Sequence, residues 1–442
     1  MNVKMLVAGT LLVSAGLTLG LRAQHLPEAL DLDQAIEIAL SRHGDLDAAR
    51  AAIEARAGST RQAGLLPNPV FSFQTENWRF HGQPGFSASR NLDVFAWVGI
   101  PIETAGKRMR RVELAEADER IAEHERQLAA WRILQSVKRA YWQALAAVSD
   151  LEMLERSRDT LQRLEKFHEV QMRQGAMAEV DLIKVRVEVG RARLALAGAE
   201  MEVSRRKMAL LEAMGIPELN TGFEMRQPDA RPVNPGRLDA QATPRAVATA
   251  LIHRPEILIG RAQVERARAE LALQRSLASP DVKPFVGYKR TGGFNTLMGG
   301  FSISLPVRDR NTGRIEEALA EVRRREARLR AAEARVGAEV AAAIETVRRS
   351  RKILRSMETG MLERARETSR IAQAAYQEGG VELLEVLDAQ RAQNEIALSY
   401  SRSVFNHRLS WVNLETATGT SDLPQSSEVT QTAAAQLDAT VE

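Results

Sequence analysis

No cysteine occurs anywhere in the sequence. That absence excludes disulfide staples, thiolate metal sites and the acceptor cysteine that a bacterial lipoprotein carries just after its signal. Aromatic residues make up only 5%, and none is interleaved with the basic runs Arg323-Arg324-Arg325 and Arg348-Arg349-Ser350-Arg351-Lys352. With a net charge of only +4, these runs read as solvated helical faces and no nucleic-acid partner is expected. The seven histidines include no pair at the spacing that puts two ligands on one helical face, so no metal site is expected. There is no Gly-rich phosphate loop, nucleophile elbow or metallopeptidase helix. The reading is of a chain that is not an enzyme and uses no cofactor.

Long apolar runs are missing too, with one exception. Met1-Asn2-Val3-Lys4 is followed by an apolar stretch from Met5 to Leu21 and then Arg22-Ala23-Gln24, the pattern of a secretory signal over 1–23, cleaved after Ala23. A membrane-anchoring helix is the alternative reading, but Arg22 ends the run short of the ~20 residues a span needs. If the exported remainder resides in a membrane, it must do so as a β-barrel, because only helices and closed barrels satisfy the backbone in lipid.

What is abundant is Ala, Arg, Glu, Leu and Val over 106–214 and 314–417, the usage of long helices burying a narrow stripe. The chain is also written twice. Ala39 to Leu46 opens one half and Ala250 to Ile257 the other; each leads through a short helix to a proline break, Leu66-Pro67-Asn68-Pro69 or Ser279-Pro280. Strand-like pairs follow, Val70 to Trp78 with Asp93 to Ile100, and Pro284 to Arg290 with Leu297 to Leu305, separated by polar loops at His81–Asn91 and Thr291–Thr296. That predicts four strands of roughly eight to eleven residues, the length of a tilted barrel strand. A soluble hairpin of equal length is the other reading.

The strand exits correspond as well. Pro101 and Gly106 in the first half match Pro306 and Gly313 in the second; proline ends the ladder and glycine permits the turn into a helix. From Lys107 a helix to about 174 is expected, on the order of 100 Å long. Leu134, Val137, Tyr141, Leu145, Val148, Leu151 and Leu154 supply its apolar stripe, and Val340, Ile344, Val347, Leu354 and Met361 that of its counterpart. Gly175 and Gly379 cap the two long helices and begin return helices ending near Met214 and Thr416. The expected organisation is a signal peptide at 1–23, a first repeat at 24–217, a linker at 218–243, a second repeat at 244–419 and a disordered polar tail at 420–442. Four strands cannot close a barrel and eight leave a filled interior, whereas three chains of four supply twelve around a lumen.

The duplicated order, the Leu66-Pro67-Asn68-Pro69 break, the proline-to-glycine exits and the tip Gly379 to Arg391 with Leu384-Glu385-Val386-Leu387-Asp388 resemble the TolC-type outer-membrane efflux protein family over essentially the whole mature chain. The exits Glu103 to Arg108 and Leu305 to Gly313 are most similar to its heavy-metal cation efflux branch. The resemblance implies a mainly α fold with a transmembrane β-barrel. Long helical hairpins would form a periplasmic tunnel beneath a twelve-stranded barrel in a homotrimer. It implies residence in outer-membrane lipid of a Gram-negative bacterium and a passive exit role for metal cations or small toxic compounds. The partners implied are a periplasmic adaptor (membrane fusion) protein and an inner-membrane transporter of the resistance-nodulation-division type. A channel for type I protein secretion and an exported periplasmic coiled-coil scaffold are the alternatives.

By the same resemblance, Glu385 and Asp388 line a constriction at the closed periplasmic end, with Glu385 standing where family members usually carry Asp. Three copies would put six carboxylates around the axis and favour cations. Gly175, Met177, Asp181, Gly379 and Val381 are the expected adaptor-facing tips. Read without the resemblance, these acids are solvated helix residues and the glycines simple caps.

Overall fold

The computed structural model describes residues 26–78, 87–175, 178–217, 221–227 and 242–420. The expected signal segment, Met177, most of the linker and the tail beyond Thr420 lie outside the described residues.

The first repeat begins with β1 (Ala29–Leu30) and α1 (Leu32–Arg42). Asp31 caps α1 by accepting the Gln34 amide, and the Gln34 side chain returns to the Asp31 amide, satisfying two donors that a helix start leaves free. The chain turns at His43 into α2 (Gly44–Ala63). Then come β2 (Val70–Glu76), a single helical turn α3 (Ala88–Asn91) and β3 (Asp93–Gly99). α4 (Lys107–Arg173) is one unbroken helix of 67 residues; no proline or glycine interrupts that stretch. α5 (Glu179–Ala213) returns alongside it, and β4 (Glu224–Met225) follows.

The second repeat retraces this order with α6 (Ala242–His253), α7 (Pro255–Leu277), β5 (Val282–Thr291) and β6 (Phe294–Ile303). Its ascending helix is divided into α8 (Thr312–Ser356), a π-helical turn at Met357–Met361 and α9 (Leu362–Gln377). α10 (Leu383–Thr418) returns. α4 is packed by α1, α2 and α5 of its own repeat and by α7 and α10 of the other, whereas α8 is packed by α6, α7 and α10 of its own repeat.

The two hairpins merge into one antiparallel sheet in the order β2-β3-β5-β6. Because side chains alternate across a strand, the register fixes two faces. One carries Phe71, Phe73, Val94, Val98, Val286 and Tyr288, continued by Leu297, Phe301 and Ile303; the other carries Ser72, Gln74, Glu76, Asp93, Lys283 and Lys289 with Phe95, Trp97 and Phe285. On the second face an added Cβ at Gly287 would meet the Trp97 Cβ at 2.4 Å, and one at Gly300 would meet the Phe285 ring at 2.9 Å.

Several expectations need correction. The first hairpin has only seven residues per strand, because Asn77 takes a left-handed φ of 64° and ends β2. The expected loop at Thr291–Thr296 is mostly strand: Gly292 and Gly293, both at positive φ, make a two-residue hairpin turn whose twist suits the strands. At the second exit the left-handed residue is Asn311, φ 59°, and Gly313 sits inside the first turn of α8; the asparagine tolerates that conformation. The second ascending helix contains a π turn the periodicity did not announce. A separate small parallel sheet pairs β1 with β4, so Glu224 and Met225 of the expected linker are in strand. Phe223 is buried in the core cluster with Tyr141 and Leu30, and the Tyr141 hydroxyl bonds the carbonyls of Leu30 and Arg226.

Candidate functional site

Two regions carry the candidate function: the sheet at one end of the long helices and the hairpin tips at the other. The apolar face of the sheet is bare. Phe71, Phe73, Val286, Phe301 and Leu297 are exposed, the last by 86%, an apolar band unlike the surface of a soluble sheet. It is the surface expected of strands facing lipid, while the opposite face with its glutamine, glutamate and lysines suits a watery interior. No helix among the described residues is long and apolar enough to cross a membrane.

Strand exits hold the sheet to the helices. Pro101 is followed by a bridge between Ile102 and Val282, and Gly106 (φ 68°) starts α4. Lys107, only 5% exposed, donates to Asp281 Oδ1 at 2.6 Å and to the Ser279 carbonyl at 2.7 Å. Asp281 Oδ1 also accepts the Thr104 amide at 3.0 Å, and Arg111 pairs with Glu103. This exit is therefore tied to the other repeat. Pro306 and Gly313 belong to an exit whose neighbours Leu305 and Val307 are 75% and 73% exposed.

At the far end, Gly175 (φ 71°) and Gly379 (φ 77°) close the long helices, their amides bonding the Met172 and Tyr376 carbonyls at 2.9 and 3.0 Å. Both glycines are exposed and Val381 is half-buried. The two tips pack on each other through Leu161, Val185, Val189, Leu383 and Leu387. His168, fully buried, joins them by hydrogen bonds: one ring nitrogen to the Leu164 carbonyl at 2.7 Å and the other to the Tyr376 hydroxyl at 2.9 Å. A carbonyl only accepts, so Nδ1 holds the proton and Nε2 accepts from Tyr376. Burial raises the Tyr376 phenol above its ordinary value, keeping it a donor.

The acidic positions lie on the first turns of the return helices. Glu385 and Asp388 are exposed on α10, on the arc opposite buried Leu383 and Leu387, and exposed Glu382 is the extended residue immediately before the helix. Asp388 is not a bare charge, since Arg391 meets it at 2.8 Å. The same guanidinium grips Glu188 of α5 with two bonds, 3.0 and 2.6 Å. Arg391 holds the Glu188 carboxyl below its usual range, and Glu188 raises Arg391 in return. Asp181, the first-repeat counterpart of Glu385, is paired with Lys184 at 2.9 Å. The structure thus brings Glu385 and Asp388 together on one helix and leaves Asp181 on the other. It also adds three residues that sequence reasoning assigned no role: Glu188, Arg391 and Glu382. Arg391 ended the tip motif, but its partner is remote in sequence. Among the described residues no group of His, Asp and Glu is placed to hold a metal ion.

The profile described as outer membrane efflux protein matches residues 35–216 and 246–420, one match in each repeat. The chain is 26% identical over 373 residues to the cobalt-zinc-cadmium resistance protein CzcC of Cupriavidus metallidurans, covering 84% of this chain and 85% of that one. It is 25% identical over 338 residues to the cation efflux system protein CusC of Escherichia coli K12, covering 72% and 70%. A crystal structure of a membrane protein from Pseudomonas aeruginosa shares the fold, with a TM-score of 0.73 at 18% identity over 88% of this chain and 90% of that one.

Proposed function

The chain belongs to the outer membrane efflux protein family and is an outer-membrane efflux channel, and from that premise we propose that it is the passive exit duct of a tripartite metal-cation efflux system. The observation that carries the reading is the pairing of an exposed apolar sheet face with helices of the length of α4, on the order of 100 Å, ending in an acidic tip. A homotrimer closes twelve strands around a lumen, and its helices continue the tube into the periplasm. The sheet's free edges, β2 and β6, are the places where copies join.

Metal cations are favoured as cargo by the relatives named for cobalt-zinc-cadmium resistance and cation efflux. The acids support it physically. Glu382, Glu385 and Asp388 of three copies form rings at the tip, where carboxylates concentrate cations and repel anions. The tips around Gly175, Met177, Asp181, Gly379 and Val381 receive a periplasmic adaptor, and an inner-membrane transporter of the resistance-nodulation-division type supplies the energy. The chain itself catalyses no reaction. Opening consists of parting the tips, which the Arg391–Glu188 tie and the His168–Tyr376 bond oppose.

The test is reconstitution of Glu385→Gln/Asp388→Asn in planar bilayers. We expect the preference for cations over anions to fall while the channel still inserts. Unaltered current and selectivity would place the constriction elsewhere.

A further inference from the structure

The two repeats are copies whose correspondence can be fixed residue by residue. Pro101, Gly106 and Lys107 match Pro306, Asn311 and Thr312 at one constant step, since Gly106 and Asn311 are the left-handed residues immediately before α4 and α8. Gly44 and Pro69 match Pro255 and Pro280 at a second constant step, set by the starts of α2 and α7 and the proline breaks. Together these steps turn Phe71 opposite Val98 into Val282 opposite Ile303. That is the pairing the second hairpin makes. The two steps were set outside the sheet, so the agreement is an independent check on their sum, while each step by itself rests on the helix starts and proline breaks.

Within one chain the repeats meet along a seam: β3 pairs with β5, Ile102 bridges Val282, and α10 packs on α4. Half of the same seam is present at each free margin, without its partner. Carrying Ile102 opposite Val282 through the two steps gives Val307 opposite Phe71, then Leu305 opposite Phe73 and Ile303 opposite Thr75. Val307, Leu305, Phe71 and Phe73 are all among the most exposed apolar side chains, at 63% or more. The pairing also puts apolar face against apolar face, which an odd slip would not.

The helices repeat the argument. Gly175 matches Gly379 and Gly215 matches Gly419, all four left-handed, at one step throughout α5 and α10. Phe405 and Val412 of α10 are 8% and 4% exposed, Phe405 lying beside Trp142 of α4. Their counterparts on α5, Met201 and Met208, are 70% and 46% exposed. With Val180, Val187 and Leu194 they form a stripe at heptad spacing, the pattern that packs against a neighbouring helix.

We infer that the seam between copies repeats the seam between the repeats, residue for residue: β6 of one copy pairs with β2 of the next with Ile303 opposite Thr75, and α8 of that copy covers the Met201–Met208 stripe of the next. The inference rests on the duct reading and adds its register. It has a consequence for strength. The Lys107–Asp281 pair that locks the internal seam has counterparts Thr312 and Val70, so both charges are absent together from the seam between copies. The Glu103–Arg111 pair has the oppositely signed counterparts Arg308 and Glu316 in the sequence. At the strand exits, the joint between copies is the internal joint without its Lys107–Asp281 ion pair.

Because the chain has no native cysteine, the register can be read by cross-linking the full-length protein in outer membranes with copper-phenanthroline. Thr75→Cys/Ile303→Cys is expected to give a boiling-resistant, reductant-sensitive ladder up to three chains. Phe73→Cys/Ile303→Cys, a two-residue slip on the same face, is expected to give little. Cross-linking by the slipped pair in preference, or by neither in material that light scattering shows to be trimeric, overturns the register. Monomeric material would instead overturn the duct reading beneath it. A second pair of variants tests the missing charges without oxidant: Val70→Asp/Thr312→Lys should raise the temperature at which SDS-resistant trimers dissociate, and neither single change should. No difference between the double and the singles also contradicts the inferred seam.

Discussion

The ascending helices of the two repeats are the same element put to different mechanical uses. α4 runs 67 residues without interruption and has neighbours from both repeats, with Val137, Tyr141 and Lys138 between 0% and 2% exposed. The second ascending helix has packing from its own repeat and is interrupted by a π turn at Met357–Met361 in which no residue is buried. That turn contains Gly360, which has open space around it, and Thr359 draws its hydroxyl back to the Arg355 carbonyl at 2.9 Å. Mid-helix glycine, a π turn and back-bonding all weaken a helix locally. The difference teaches that duplication supplied one strut and one helix able to bend, with the bend placed between the sheet-proximal core and the tip.

The largest expected effect breaks the strut. Tyr141→Ala removes a buried ring and its bonds to the Leu30 and Arg226 carbonyls, and should cost about 3–5 kcal/mol. Thr346→Ala, at the matching place on exposed α8 surface, should stay within about 0.5 kcal/mol. Denaturant unfolding in detergent, followed by helical circular dichroism, reads both; equal losses would erase the asymmetry between the helices. Next comes Lys138→Ala, which leaves Glu415 without the partner it holds at 2.5 Å across the internal seam. About 3 kcal/mol should be lost, and Lys138→Met/Glu415→Leu should recover most of it.

At the tip the effect is smaller and shows in gating. Arg391→Ala removes a charge-assisted tie of about 1.5–3 kcal/mol, shifting the closed-to-open ratio by roughly tenfold or more toward open. Single-channel recording checks this, and an unchanged open probability would free Arg391 of that role. The tie also has a pH signature. Glu188 is depressed by Arg391, so its contribution is full above the unfolded carboxylate value of about 4.3 and is lost as pH falls through the lower folded value. Wild-type tips should loosen only in that acid window, and Arg391→Ala channels should lack the acid-dependent step. The smallest effect is that of Gly360→Ala, which should stabilise the bend by about 1 kcal/mol and reduce open probability slightly, leaving thermal unfolding of the α4 core unmoved.

Much of this was legible in the sequence because it is local or periodic. Gly175 and Gly379 marked the tips, Pro101 and Pro306 the strand exits, and the Val137–Tyr141–Leu145 spacing the buried stripe of α4. The π turn was not legible, since Met357 to Met361 is compatible with ordinary helix. The β1–β4 pair was missed because two-residue strands carry no alternation. Asn311 was overlooked in favour of Gly313 because glycine is the stronger turn signal, although the left-handed place fell two residues earlier. The candidate constriction was legible only as acids on α10; the Arg391–Asp388 pair is local to that helix, but that Arg391 also reaches Glu188 is a tertiary fact joining helices far apart in sequence.

The duct reading requires copies of this chain to form a membrane-embedded barrel continued by a helical tube. Electron microscopy of the protein extracted from outer membranes in detergent tests it most directly. A threefold particle with one end in the micelle and a tube about 100 Å long beyond it is the expected result. A rod that is soluble without detergent and carries one copy or two would contradict it.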